Sequence, residues 1–297
     1  MKLRGNELHL PLMILLTGAT GTSGSEIAKQ LSAAGSHFRA LVRDRRNAGP
    51  LSGLNVELVE GDLGKPETLT KLLEGIDHAL LLSSPDERQV EFQGNFIEAA
   101  KRAGVSHVVK FSAIGAAPDS ISKFLRWHAQ TERQLEQSGM GYTLLRPSSF
   151  MQNFLQSAGT IQSQGAIYAP IGGAKISFVD VRDIAAVAVK ALTEPGHEGK
   201  TYIITGPESL SHADVAEKLS KALAKKVNFV DLPPEAFKQA VMGAGIPEWL
   251  ADGLNELYAD WRTGSIAAVS PVVSDVAKKQ PISFDQFARD HMAAFSK

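Results

Sequence analysis

Three glycines at three-residue spacing, Gly18, Gly21 and Gly24, are the residues of this chain best suited to chemistry on a phosphate. Gly18 lets the backbone turn where a side chain would clash. Gly21 lets it approach a pyrophosphate, and Gly24 lets a following helix pack closely. Thr22, Ser23 and Ser25 stand where hydroxyls cap a first helical turn or donate to phosphate. Two more positions extend the pattern. Arg43, with Arg46 second, stands where a cation pairs with the 2′-phosphate of NADP, while Asp44 is the residue type that accepts from the 2′-hydroxyl of NAD. Asp62 offers a carboxylate that either meets an adenine amino group or caps the next helix.

The elements around these residues fit that role. An apolar run, Met13–Thr17, leads into the glycines, and an amphipathic pattern, Thr22–Ala34, leaves them, closed by Gly35. The spacing is G-x-x-G-x-x-G and not the dehydrogenase form G-x-G-x-x-G, so the assignment rests on the strand–turn–helix context. Further strands are expected at Ser36–Val42, Val56–Glu60, Asp77–Leu82, Ser106–Phe111 and Tyr142–Leu145. Helices are expected at Pro66–Leu73, Arg88–Ala103 and Ile121–Gln137. This alternation predicts an α/β fold, a Rossmann-type doubly wound parallel sheet with helices on both faces. Ser83, Ser84 and Pro85 then fall at the ligand-binding edge of that sheet.

After Pro147 the rhythm changes. Helices are expected at Phe150–Ser157, Val181–Leu192, Leu210–Leu223, Pro233–Met242, Pro247–Asp260 and Phe284–Ala294. Short strands are expected at Gly165–Ile171, Ile176–Val179, Thr201–Thr205 and Val227–Val230, and Ser211 and Ser283 are the expected N-caps. We divide the chain into an N-terminal extension (1–12), an NAD(P)-binding domain (13–150, with later segments returning to it) and a smaller α+β substrate lobe (151–297). Aromatic residues that could stack on a flat substrate are Phe150, Phe154, Tyr168, Trp249, Tyr258 and Trp261, and Asn153 could donate to a substrate oxygen.

Bulk properties exclude several classes. A net charge of −1 gives no global field toward nucleic acid or an anionic membrane. With no cysteine there is no thiolate catalysis, disulfide or cysteine metal site, which fits a reducing, cytoplasmic setting. No apolar run reaches the roughly 18 residues of a membrane span. The eight histidines show no metal-ligand spacing, and no Gly-x-Ser-x-Gly elbow marks a hydrolase. The expected partner is a small-molecule substrate; a homodimer, and a protein partner if the chain is a regulator, are further expectations.

The segments Thr17-Gly-Ala-Thr-Gly-Thr-Ser-Gly24, Leu41-Val-Arg43, Glu60-Gly-Asp62-Leu and Val109-Lys-Phe-Ser-Ala113 resemble the NmrA-like group of atypical short-chain dehydrogenases/reductases. The segment from His128 to Pro147 is similar to the type-two NAD(P)H:quinone oxidoreductases and the triphenylmethane reductases. The resemblance implies that Gly18, Thr20, Gly21, Thr22, Ser23 and Gly24 hold the pyrophosphate, Arg43 the 2′-phosphate, and Asp62 and Leu63 the adenine. It places Ser83, Ser84 and Pro85 by the nicotinamide ribose, and Pro147, Ser148 and Phe150 near the nicotinamide. From the residues themselves, NADPH is the expected cofactor, with NAD the alternative, and substrate contacts are expected from Phe150, Asn153, Phe154 and Tyr168.

One departure bears on mechanism. Short-chain reductases carry Tyr-x-x-x-Lys on the long helix after strand five, and here the spacing reads Phe124-Leu-Arg-Trp-His128. Phe124 has no proton to give. His128 stands at the lysine position, either as a group that bonds the ribose or relays a proton, or as a polar helix residue and nothing more. Two functions follow: hydride transfer to a quinone or similar flat electrophile that needs no positioned tyrosine, or a redox-sensing regulator that binds NADP without turnover.

Overall fold

The computed structural model describes residues 12–296, so most of the expected N-terminal extension lies outside the described residues. Seven strands form one parallel sheet in the order β3-β2-β1-β4-β5-β6-β8: β1 (Ile14–Leu16), β2 (Phe38–Val42), β3 (Val56–Glu60), β4 (His78–Leu81), β5 (His107–Phe111), β6 (Gly141–Pro147) and β8 (Lys200–Ile204). The order reverses between β1 and β4. That switch point opens a crevice at the carboxyl ends of the strands, where ligands bind in such sheets. The fold is therefore the expected α/β, doubly wound one.

Helices cover both faces. On one side α1 (Thr22–Ala33) packs on α6 (Val181–Thr193), and α6 on α10 (Val272–Ala277). Their shared core runs from Ile27 and Leu31 through Leu80 and Val109 to Ile184 and Val187, all buried. On the other side lie α2 (Leu69–Leu72), α3 (Gln89–Ala103) and α4 (Lys123–Glu136), over a second core of Leu15, Leu81, Phe96, Val108 and Leu135. Both faces of the central strands are thus buried, which is why β1 and β4 read as continuous apolar runs.

The smaller lobe has its own core of Ile161, Ile167, Phe178, Leu219, Phe284 and Phe287. It is built from α5 (Ala158–Gln164), α7 (His212–Leu223), α11 (Phe284–Asp290), α12 (Met292–Phe295) and a two-stranded parallel sheet of β7 (Ala166–Ala169) and β9 (Asn228–Asp231). Helices α8 (Pro234–Gly243) and α9 (Glu248–Trp261) form an antiparallel arm that reaches back to α4. Ser211 caps α7 in a reciprocal box with Asp214, and Ser283 caps α11 by accepting from Gln286 N–H, both as expected.

Local expectations fail in five places. Phe150–Ser157 is not an α-helix. Met151–Ser157 winds as 3-10 turns and leads into α5. Ile176–Val179 makes only single bridges, Phe150 with Val179 and Ile176 with Leu210. The expected terminal helix breaks at His291 into α11 and α12, and α10 lies in a stretch assigned no element. Thr22, Ser23 and Ser25 do not cap α1. The N-cap is Gly21, with no side-chain bond, and Ser25 Oγ donates to the Thr22 carbonyl instead.

Two buried histidines make stability pH-dependent. Burial pushes His107 and His212 down to about 4 from the ordinary 6.5. The folded state then binds fewer protons than the unfolded chain. The contribution of these two histidines is complete above pH 6.5 and is lost as the pH falls toward 4. Urea midpoints at about pH 7.5 and about pH 5 should differ by the equivalent of a few kcal/mol. Equal midpoints would contradict this reading.

Candidate functional site

The strand ends are locked at the crevice. Thr17 Oγ1 donates to the carbonyls of Leu80 (3.1 Å) and Leu82 (2.7 Å) and accepts from Leu82 N–H at 2.8 Å. Gly18 then turns with φ of +63°, and a Cβ there would lie 2.7 Å from the Leu82 carbonyl oxygen. A Cβ on Gly24 would lie 2.1 Å from the Gly18 carbonyl oxygen, so helix and turn touch backbone to backbone. At Gly21 the nearest atom to an added Cβ is 3.5 Å away, and the backbone is exposed. Two of the glycines are needed to make the turn, and the third leaves its face open.

The turn forms one end of a cleft of about 630 Å³, within the usual range of ligand sites. All six expected phosphate-loop residues line it, as do Arg43, Asp62, Leu63, Ser83, Ser84, Pro85, Pro147, Ser148, Phe150 and His128. Elements far apart in sequence supply these residues, because they sit at or just past the carboxyl ends of strands, in the first turn of α1 or on α4. Gln93 Nε2 donates to Ser83 Oγ at 2.8 Å and Asn95 Nδ2 to the Leu63 carbonyl at 2.9 Å, so α3 holds two of these loops.

The acidic and basic candidates separate cleanly. Asp44 accepts from the backbone N–H and the guanidinium of Arg46, which hold its carboxyl below the usual carboxylate range. Arg46 is thereby occupied and does not line the cleft, and Arg45 bonds the Leu58 carbonyl. Arg43 is exposed, lines the cleft and has no side-chain partner among the described residues. Asp62 does not cap the next helix, whose N-cap is Lys65 with no side-chain bond; its Oδ1 accepts from Gly64 N–H at 2.9 Å, shaping the turn between, and the residue lines the cleft.

The substrate expectations fare less evenly. Phe150 and Asn153 line the cleft, and Phe111 meets Phe150 edge to face at 6.2 Å. Phe154 does not reach it. Its ring is buried against Phe178, Phe284 and His212 in the core of the smaller lobe. Tyr168 is also elsewhere, on β7, with its hydroxyl donating to Gln164. Of the other three expected aromatics, Trp261 lines the cleft, as do Phe92, Phe111 and Phe124, which were not expected there. Trp249 packs on Phe124, and Tyr258 lies between Phe237 and Trp261. Leu250, Leu254 and Leu257 of α9 complete the apolar roof. Their i, i+4, i+7 spacing is a legible signal of one apolar helix face, although it does not say what that face covers.

Phe124, at the catalytic tyrosine's position, has a structural use. Its ring fills the gap that Gly253 leaves, since a Cβ on Gly253 would come within 2.2 Å of it. Lys123 ties the same contact, its backbone N–H donating to Glu256 and its Nζ to the Trp249 carbonyl. The roof is thus seated on α4 one turn before His128.

A match to the NmrA-like family model covers residues 12–288. The chain belongs to the NmrA-like family. Among its relatives is an NAD(P)H azoreductase of Xenophilus azovorans, 44% identical over 95% of this chain and 99% of that protein. Another is quinone oxidoreductase 2 of Escherichia coli, 34% identical over 82% and 85%. The crystal structure of an E. coli NADPH-dependent quinone oxidoreductase complexed with NADPH superposes with a TM-score of 0.87 at 30% identity, over 95% of this chain and all of that one. The Citrobacter triphenylmethane reductase complexed with NADP(H) gives 0.83 at 27% identity, over 94% and 99%.

Within this NmrA-like chain, Lys110 escaped notice in the sequence. It is fully buried on β5, behind the cleft wall, with Nζ 3.2 Å from His128 Nδ1. Its signal was there to read: an ionisable residue inside the apolar run Val108-Val109-Lys110-Phe111. A charge in a strand buried on both faces demands a reason. No helix among the described residues is long and apolar enough to cross a membrane.

Proposed function

We propose that this chain is an NADPH-preferring reductase of flat, electron-poor acceptors of the quinone class. The observation that carries it is one continuous cleft with two unlike ends. At one end are the open backbone of Gly21 and the unpartnered cation of Arg43; at the other are the rings and side chains of Phe111, Phe150, Leu254 and Trp261. The glycine turn and Arg43 suit a dinucleotide phosphate, and the uncapped N–H groups of α1 add the positive end of a helix dipole. The relatives whose names include azoreductase and quinone oxidoreductase support the same reading.

When bound, a reduced nicotinamide supplies hydride; the chain's task is to bind, orient and exclude water. Asp62 and the Leu63 loop would flank the adenosine, and Ser83, Ser84 and Pro85 the second ribose. Pro147, Ser148 and Phe150 would back the nicotinamide. The leucines and Trp261 of α9 would press an aromatic acceptor against it and keep solvent out. Asn153, exposed at the cleft and with no side-chain partner among the described residues, would donate to an acceptor oxygen.

Stopped-flow oxidation of protein-bound NADPH, with and without a small benzoquinone, tests this. Acceptor-dependent oxidation well above the uncatalysed rate is the expected result, with an azo dye as a second acceptor. Tight NADPH binding with no oxidation by any quinone or dye would overturn it in favour of a nucleotide-sensing regulator.

A further inference from the structure

Lys110 has no carboxylate bonded to it among the described residues; its Nζ contacts are the Phe111 carbonyl at 3.3 Å and His128 Nδ1 at 3.2 Å. The nearby acid, Glu132 on α4, is already engaged. Ser112 Oγ donates to its Oε1 at 2.5 Å, and Arg146 on β6 closes on both of its oxygens. The groups facing Lys110 from α4 and β6 are therefore His128 and a Glu132–Arg146 pair that neutralises itself.

An ammonium has donors only, so Nδ1 of a neutral His128 must accept and the ring proton must sit on Nε2. Nε2 has no partner among the described residues and is not sealed from solvent, and His128 lines the cleft, so that N–H opens toward the ligand space. We propose that Lys110 fixes the tautomer of His128 and resupplies the proton that His128 gives to a reduced acceptor. The second half rests on the reductase reading above; the first does not.

The step balances. An acceptor that has gained hydride carries an anionic oxygen. The Nε2–H bond breaks as the O–H bond forms, Nδ1 takes a proton from Nζ, and Lys110 is left as a neutral amine. One solvent proton on Nε2 then lets the Nδ1 proton return to Nζ. The environment suits both roles. Burial pushes Lys110 down to about 7, against the pull of Glu132, so amine and ammonium interconvert near neutral pH. Burial and the charges of Lys110 and Arg146 hold His128 well below its ordinary value, so the ring stays neutral. Lys110 is a positioning residue in this scheme, acting through His128.

Long-range 15N–1H spectra of histidine-labelled, full-length protein test the tautomer without any turnover, with His128→Gln for assignment. In the wild type, the Nε2–H form should dominate below about pH 7 and mix with the other form above it. Lys110→Met, close to isosteric and relieved of a buried charge, should show mixed tautomers throughout. Lys110→Arg should hold the Nε2–H form at every pH but, unable to release its proton, should lower kcat about tenfold or more and abolish the alkaline limb of its pH profile. A wild-type proton on Nδ1 at about pH 6, or an unchanged tautomer in Lys110→Met, would overturn the positioning role. A Lys110→Arg enzyme with wild-type kcat and pH profile would overturn the resupply. A wild type that binds NADPH but never turns over would sink the reductase reading while the tautomer result stood.

Discussion

Gly21→Leu is expected to leave the protein folded and to abolish nucleotide binding. Gly21 has φ −80° and ψ 173°, an extended conformation that leucine adopts freely, and nothing lies closer than 3.5 Å to the Cβ it would add. The side chain would occupy the space that a pyrophosphate needs. The melting temperature should stay within about 2 °C, as for other surface changes. The Kd values for NADPH and NADH should both rise by at least about 100-fold, or roughly 2.7 kcal/mol. Gly24→Ala provides the contrast. Its Cβ would meet the Gly18 carbonyl at 2.1 Å, backbone against backbone, so α1 must lift off the turn and stability must fall. Calorimetric titration beside thermal melting separates the two glycines. Retained binding in a folded Gly21→Leu protein would refute the phosphate turn.

Arg43→Ala should weaken NADPH binding by about tenfold, or ~1.4 kcal/mol, and leave NADH nearly unchanged. The specificity of this effect follows from the neighbours. Arg46 is committed to Asp44 and Arg45 to the Leu58 carbonyl, so neither can replace the lost cation. Asp44, the acid expected if NAD were selected, is likewise engaged: its oxygens cap a 3-10 turn and bind Arg46. Equal losses for both nucleotides would remove Arg43 from the 2′-phosphate role and assign it to the shared part of the cofactor. The preference should also weaken with added salt, because Arg43 is exposed.

The glycine turn was legible because its causes are local. Strand, turn and helix lie within twenty residues, and each glycine answers a steric demand made by its immediate neighbours. Arg43, Asp62 and Ser83 were legible for a related reason. In a parallel sheet every carboxyl end points the same way, so residues just past the strands converge without their contacts being known. Asp44 and Arg46 show where this stops. Composition offered three arginines and one acid in four positions, and only the side-chain pairing decided which cation was left over.

The substrate half shows the limit more sharply. Phe150, Phe154 and Tyr168 are aromatic and close in sequence, yet one lines the cleft, one lies in a core and one stands on the far sheet. The 3-10 winding of Met151–Ser157 contributes to this, because three residues per turn redistribute side chains that an α-helix would have aligned. The roof comes from α9, about a hundred residues later, seated by the fit of Phe124 against Gly253.

Sequence by itself determined the doubly wound sheet, the glycine turn and the line of strand-end residues along the cleft, since periodicity and local backbone sterics specify them. Tertiary structure alone decided which arginine has no side-chain partner among the described residues, which aromatics reach the cleft, and that a lysine with no ion-pair partner among those residues lies behind His128. Those facts depend on which side chains pair and bury one another, whether two residues apart, as Asp44 and Arg46, or more than a hundred, as Phe154 and Phe284, and residue order alone does not select among the possible partners.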